Sequence, residues 1–169
     1  MHHDVLGIYL NDHLAGATLG AGLARHLAHR HRHTVHGPRL EDIADEISQD
    51  RQALLSIMEG LGVRPRRYKV CAGWAGERLR RLKPNGVLHP GSGLDTVVEL
   101  ETLRLGVEGK SLLWLTLLAS APGRAGPDRS HLRDLLDRAR AQIDVLEELR
   151  RATAAAVFSP RDARTAAAR

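Results

Sequence analysis

The chain has 169 residues, 43% hydrophobic and 27% charged, which is enough for one domain with its own core. It has one cysteine, Cys71, which excludes an intrachain disulfide and any multi-cysteine zinc or iron–sulfur site. The formal charge of +5 is carried almost wholly by arginine, the lysines being Lys69, Lys83 and Lys110; this Arg- and Ala-rich usage fits a GC-rich bacterial coding bias, and with aromatics at 3% it speaks against a nucleic-acid partner.

No apolar run approaches the roughly 20 residues a membrane span needs. The start "MHHDVLGIYLNDHLAG" has no basic region ahead of an apolar stretch, and Asn11, Asp12 and His13 interrupt that stretch. The expectation is a cytoplasmic protein without a membrane partner. Leu, Ala, Val and Ile dominate the apolar set, which favours helices over sheets.

The first helix is predicted over residues 4–31, on Leu6, Leu10, Ala17, Leu23, Ala24 and Leu27 at helical spacing. "HGPR" ends it, because Pro38 disfavours helix at the residue before it. Gly16 and Gly20 share one face of this helix and suit the close approach of another, with His13 a turn away bonded to a carboxylate or a carbonyl. The alternative for His13 is a ligand or catalytic role. The second helix is predicted over 39–60, where Leu40, Ile43, Ile47, Leu54, Ile57 and Leu61 form an apolar stripe. Asp50 stands where that stripe calls for an apolar residue, and "GLG" supplies a glycine cap.

Residues 64–83 follow as a connecting helix, with Tyr68, Cys71, Trp74, Ala75, Leu79 and Leu82 at helical spacing and Pro84-Asn85-Gly86 as its stop. Cys71 and Trp74 read as packing residues. The third long helix runs over 94–119, opened by a capping box of Ser92 with Asp95 or of Thr96 with Glu99. It is apolar nearly all round, which predicts cover on more than one side. The fourth runs over 128–158 on a stripe of Leu132, Leu135, Leu136, Ala139, Ile143, Leu146 and Leu149, its other face charged. The expected domain is 1–158, and 159–169 is expected to be a disordered tail.

The order helix hairpin, long connection, helix hairpin resembles the ferritin-like bundles, in which the connection runs the length of the bundle and the third helix lies parallel to the second. "LNDHLAGATLGAGLARHL" resembles the first helix of small bacterial ferritin-like domains, which often begin LN-(D/E)-LL-x-(G/A)-E and carry a ligand Glu in that turn. "YLNDHLAGATLGAGLAR" and "LGVEGKSLLW" also resemble members of an uncharacterised bacterial protein family. The resemblance implies an all-α four-helix bundle, ferritin-like, with an additional connecting helix between the second and third long helices. Its di-iron ligand set is incomplete here. Gly16, Ala17 and Thr18 stand where the first ligand Glu belongs, Ala53 follows Asp50 by three, and the fourth helix has no Glu-x-x-His.

Two core carboxylates remain as metal candidates. With the second and third helices parallel, Asp50 and Glu108 reach similar depth, and facing carboxylates in a dry core need a cation: His13, Lys110, an arginine, or a divalent Fe, Mn or Zn. Glu46 or Glu101 would complete such a set. The structural alternative has Asp50 and Glu108 bonded to arginine or backbone. His26, His29, His33 and His36 follow 3-4-3 spacing, and His29 with His33 could chelate a surface metal if the helix persists. The alternative there is a solvated basic helix end that titrates near pH 6.

No phosphate loop, Gly-x-Gly-x-x-Gly or nucleophile elbow occurs, and no residue is assigned to catalysis. Two readings stand, a non-catalytic association domain that forms a homodimer and a degenerate ferritin-like metal protein, with nucleic-acid binding through the Arg- and His-rich "RHLAHRHRH" and "RPRR" as a weaker third.

Overall fold

The computed structural model describes residues 2–66, 93–120 and 127–159, and these form four long α-helices. They are α1 (His2–His31), α2 (Gly37–Gly60), α3 (Leu94–Ser120) and α4 (Arg129–Phe158). The connecting helix does not begin at residue 64 as expected, because residues 64–66 are not helical; the rest of that stretch, with Cys71 and Trp74, and the expected tail beyond residue 159 lie outside the described residues, as does Ser92 of the first proposed capping box.

The ends of the helices follow from local chemistry. α1 stops at His31, where the sequence predicts its end, and Pro38 sits in the first turn of α2, where its missing N–H costs nothing. The turn between them is tight: a Cβ on Gly37 would lie 2.8 Å from the Arg32 carbonyl, so only glycine fits. α2 ends in a Schellman motif. Val63 N donates to Met58 O at 2.8 Å and Gly62 N to Glu59 O at 2.9 Å, with Gly62 at φ 69°. α4 is capped by Asp128, whose carboxylate accepts from Ser130 N at 2.9 Å.

Side-chain pairs set the helix directions. Tyr9 Oη donates to Thr116 Oγ1 at 3.1 Å, and Arg30 Nη2 to Thr96 Oγ1 at 2.6 Å, so α1 and α3 are antiparallel. Arg39 forms a fork of two 2.8 Å bonds with Glu148, and Asp50 accepts from Arg138 Nε at 2.8 Å, so α2 and α4 are antiparallel too. Since α1 and α2 form a hairpin, α2 and α3 run parallel. Around the bundle the order is α2, α1, α3, α4. The core joins Leu10 and Leu27 of α1, Leu54 and Met58 of α2, Leu100, Leu103, Leu113 and Trp114 of α3, and Leu132, Leu135 and Leu146 of α4. Each such side chain stabilises the fold by about 1.5–3 kcal/mol on burial.

α3 packs against both α1 and α4, the cover on more than one side that its apolar residues predict, and leaves Leu105, Leu112 and Leu115 66%, 54% and 41% exposed. None of the described helices is long and apolar enough to cross a membrane.

Candidate functional site

Asp50 is 1% exposed at the centre of the bundle. Its Oδ1 accepts from Arg138 Nε at 2.8 Å and from Arg138 Nη2, and its Oδ2 accepts from Lys110 Nζ and from Gln142 Nε2 at 3.1 Å. Gln142, also 1% exposed, accepts from Lys110 Nζ through its carbonyl and donates to Glu46 Oε2 at 2.9 Å through its amide. Two carboxylates and two cations thus close a neutral network spanning α2, α3 and α4. Burial pushes the Lys110 pKa down, and the adjacent Asp50 carboxylate opposes that shift.

Several expected residues are placed elsewhere. Glu108 is exposed on the outer face of α3 and does not face Asp50. The inward position belongs to Lys110, and the cation beside Asp50 is Lys110 together with Arg138. Because α1 ends at His31, His33 and His36 leave the helix, and the i, i+4 relation of His29 to His33 is not kept. Glu101 is exposed, 3.6 Å from Arg150. Among the described residues no three His, Cys, Asp or Glu side chains converge as a metal site. The network ties α2, α3 and α4 together, and its Asp50 and Lys110 also line the groove described next.

Beside the network lies a groove of about 600 Å³ between α1 and α3, its floor reaching Ile47 and Leu54 of α2. Interpolating between Tyr9–Thr116 and Arg30–Thr96 puts Gly16 level with Gly109 and Gly20 level with Gly106. All four line the groove, and among the described residues a Cβ on any of them would meet nothing within 4 Å. The close helix crossing expected at Gly16 and Gly20 is therefore not made by any described helix.

His13 lies half-buried on the groove wall, its ring edge-on to Tyr9 with centroids 4.5 Å apart. Burial lowers its pKa below 6.5 against the opposing charge of Asp12. His31 is likewise lowered, by burial and then by Arg30. Both folded pKa values lie below the unfolded one, so the unfolded chain binds more protons once the pH falls below about 6.5. Stability is expected to be full above that pH and to decline as pH drops through it, levelling off once the folded imidazoles also protonate. A melting temperature followed against pH should show this decline, weakened in His13→Gln; a flat profile would contradict it.

Asn11, Ser111 and Gln142 are buried polar residues whose burial the sequence reading passed over. Asn11 accepts from Arg66 N at 2.6 Å and donates to Gly7 O at 2.7 Å, pinning the chain beyond α2 onto α1. The signal for Gln142 was its place in the series Leu135, Ala139, Gln142, Leu146, Leu149 at 4-3-4-3 spacing, all buried. No family model, no curated protein and no solved structure matches the chain.

Proposed function

We propose that this chain is a non-catalytic helical association module that pairs with a second copy through the outer face of α3. The observation that carries this is the exposed leucine stripe. Leu105 and Leu112 are seven residues apart and Leu115 continues their face, which also carries Glu101 and Glu108. That is the spacing of a helix seam awaiting a partner helix. Val5 and Ile8 extend the apolar surface at the end of the bundle where Tyr9 meets Thr116.

The ferritin-like reading is supported by the parallel course of α2 and α3, which requires a connection as long as the bundle. A connecting helix within the residues from 67 to 83 fits that requirement. In this reading the di-iron carboxylates have given way to an internal ion-pair network. A metal reading finds less support, because cations of the chain already occupy both oxygens of Asp50.

Sedimentation equilibrium tests the module directly. The wild type is expected to form a dimer that dissociates on dilution, and Leu105→Glu/Leu112→Glu is expected to be monomeric with unchanged helicity. A wild type that stays monomeric at every concentration, or a variant that still dimerises, would overturn this function. Stoichiometric iron, manganese or zinc in untagged protein, lost in Asp50→Asn, would instead revive the metal reading.

A further inference from the structure

We infer that the groove between α1 and α3 binds an apolar monocarboxylate, a small molecule of the fatty-acid class, whose carboxylate is held by Arg51 and Lys110 and whose chain lies along the glycine-lined slot. This site is separate from the leucines on the outer face of α3 and adds a ligand to a chain that pairs through them.

The first observation is the space. The groove holds about 600 Å³, within the roughly 300–1,000 Å³ usual for small-molecule sites. Its α1 wall runs from Tyr9 to Leu23, about 21 Å of helix. Glycine is, after proline, the least favourable residue in a helix interior. Yet Gly16, Gly20, Gly106 and Gly109 clear both walls of side chains, and no described atom is close enough to demand their smallness. Gly16 and Gly106 are exposed, so the slot opens to solvent between the two helices. Leu23, Leu54, Leu103 and Leu113 line it, which suits an apolar body.

The second observation is the unused polar atoms, which are mostly donors. Arg51 lines the groove, and its Nε donates to Thr18 Oγ1 at 3.0 Å. Its two Nη groups have no acceptor and no ion pair among the described residues. Lys110 directs two of its three N–H donors to Asp50 and Gln142 and keeps one. Trp114 is fully buried in the groove wall, and its Nε1 has no acceptor among the described residues. A buried donor without a partner is a costly exception. On the other side, both oxygens of Asp50 are taken, Asp12 stands exposed at the rim, and His13 brings one donor and one acceptor. The missing partner is therefore an acceptor. Asp50 and Glu46 already balance Lys110 and Arg138, which leaves the Arg51 charge for a ligand anion, and a carboxylate fits the guanidinium fork. Arg51 is tied to Thr18, and the levels that pair Gly16 with Gly109 put Lys110 within one helical turn of Thr18, so one carboxylate can serve both cations.

Calorimetric titration with decanoate tests the site, with 1-decanol as the uncharged control. Decanoate is expected to bind once per chain, and the alcohol about tenfold more weakly, the value of a charge-assisted bond. Arg51→Gln is expected to weaken decanoate by about the same factor and to leave decanol unchanged, while Arg51→Lys, which keeps the charge, retains most of the affinity. Gly20→Leu/Gly106→Leu, its helicity checked by circular dichroism, is expected to bind neither. Leu105→Glu/Leu112→Glu is expected to bind decanoate like the wild type. The chain has two tryptophans, so Trp74→Phe leaves Trp114 as a reporter whose emission is expected to change on saturation. A wild type that binds no decanoate, or binds acid and alcohol equally, would overturn the proposal. So would an Arg51→Gln variant of undiminished affinity, a reading that holds even if the slot-filled variant does not fold. Binding lost only in the outer-face variant would overturn it too, by placing the acid on the exposed leucines.

Discussion

Replacing Asp50 by alanine is expected to destabilise the fold by about 3–5 kcal/mol, the usual cost of stranding a buried cation. The carboxylate is the common partner of Lys110, Arg138 and Gln142. Without it, Lys110 keeps the Gln142 carbonyl as its acceptor and the ammonium is left in a site whose burial already disfavours its charge. The network itself is a weaker source of stability than this loss suggests. Two charges brought out of water recover little more than their desolvation cost. The double variant Asp50→Leu/Lys110→Met should therefore cost much less than the sum of its parts. Urea unfolding of the wild type, both single variants and the double variant gives the coupling. Additive losses would mean that Asp50 and Lys110 do not act on each other.

Trp114→Ala is expected to lose a similar amount, about 3–5 kcal/mol, from the cavity it leaves. Trp114 is fully buried, at the α3 end of the groove and against the rest of the core. Its indole Nε1 finds no acceptor among the described residues. Trp114→Phe removes a donor with no bond to lose among the described residues and leaves a smaller cavity, so its cost should stay well below that of the alanine variant. Chemical denaturation of both variants measures the contrast. A phenylalanine variant as damaged as the alanine variant would show that the indole N–H is bonded after all.

The helices were legible because their apolar residues recur at 3-4 spacing and because glycine, proline and Asp128 mark the ends. Asp50 was legible for the same reason: it breaks a stripe that otherwise predicts burial. Its partner was not. Depth along the axis suggested Glu108, but rotation decides which side chain points inward. Two residues on a helix differ by about 200° in direction, so Lys110 turned inward puts Glu108 outside. Arg138 was hidden among the arginines of α4, which look alike in sequence. Gln142 was passed over because Ile143, one position on, also fits an approximate stripe. The glycines of α1 announced a small-residue face, but a sequence does not record whether the space above such a face is filled.

The ion-pair network has a consequence for assembly. Its charges are divided between the hairpins: α1–α2 contributes the carboxylates of Asp50 and Glu46, and α3–α4 contributes the cations of Lys110 and Arg138. Two copies of the first hairpin packed core to core would bury four carboxylates together, and two copies of the second would bury four cations. Only one hairpin of each kind gives a neutral interior. The buried charges thus work as a mating code, in which each half of the molecule rejects its own kind and accepts its complement.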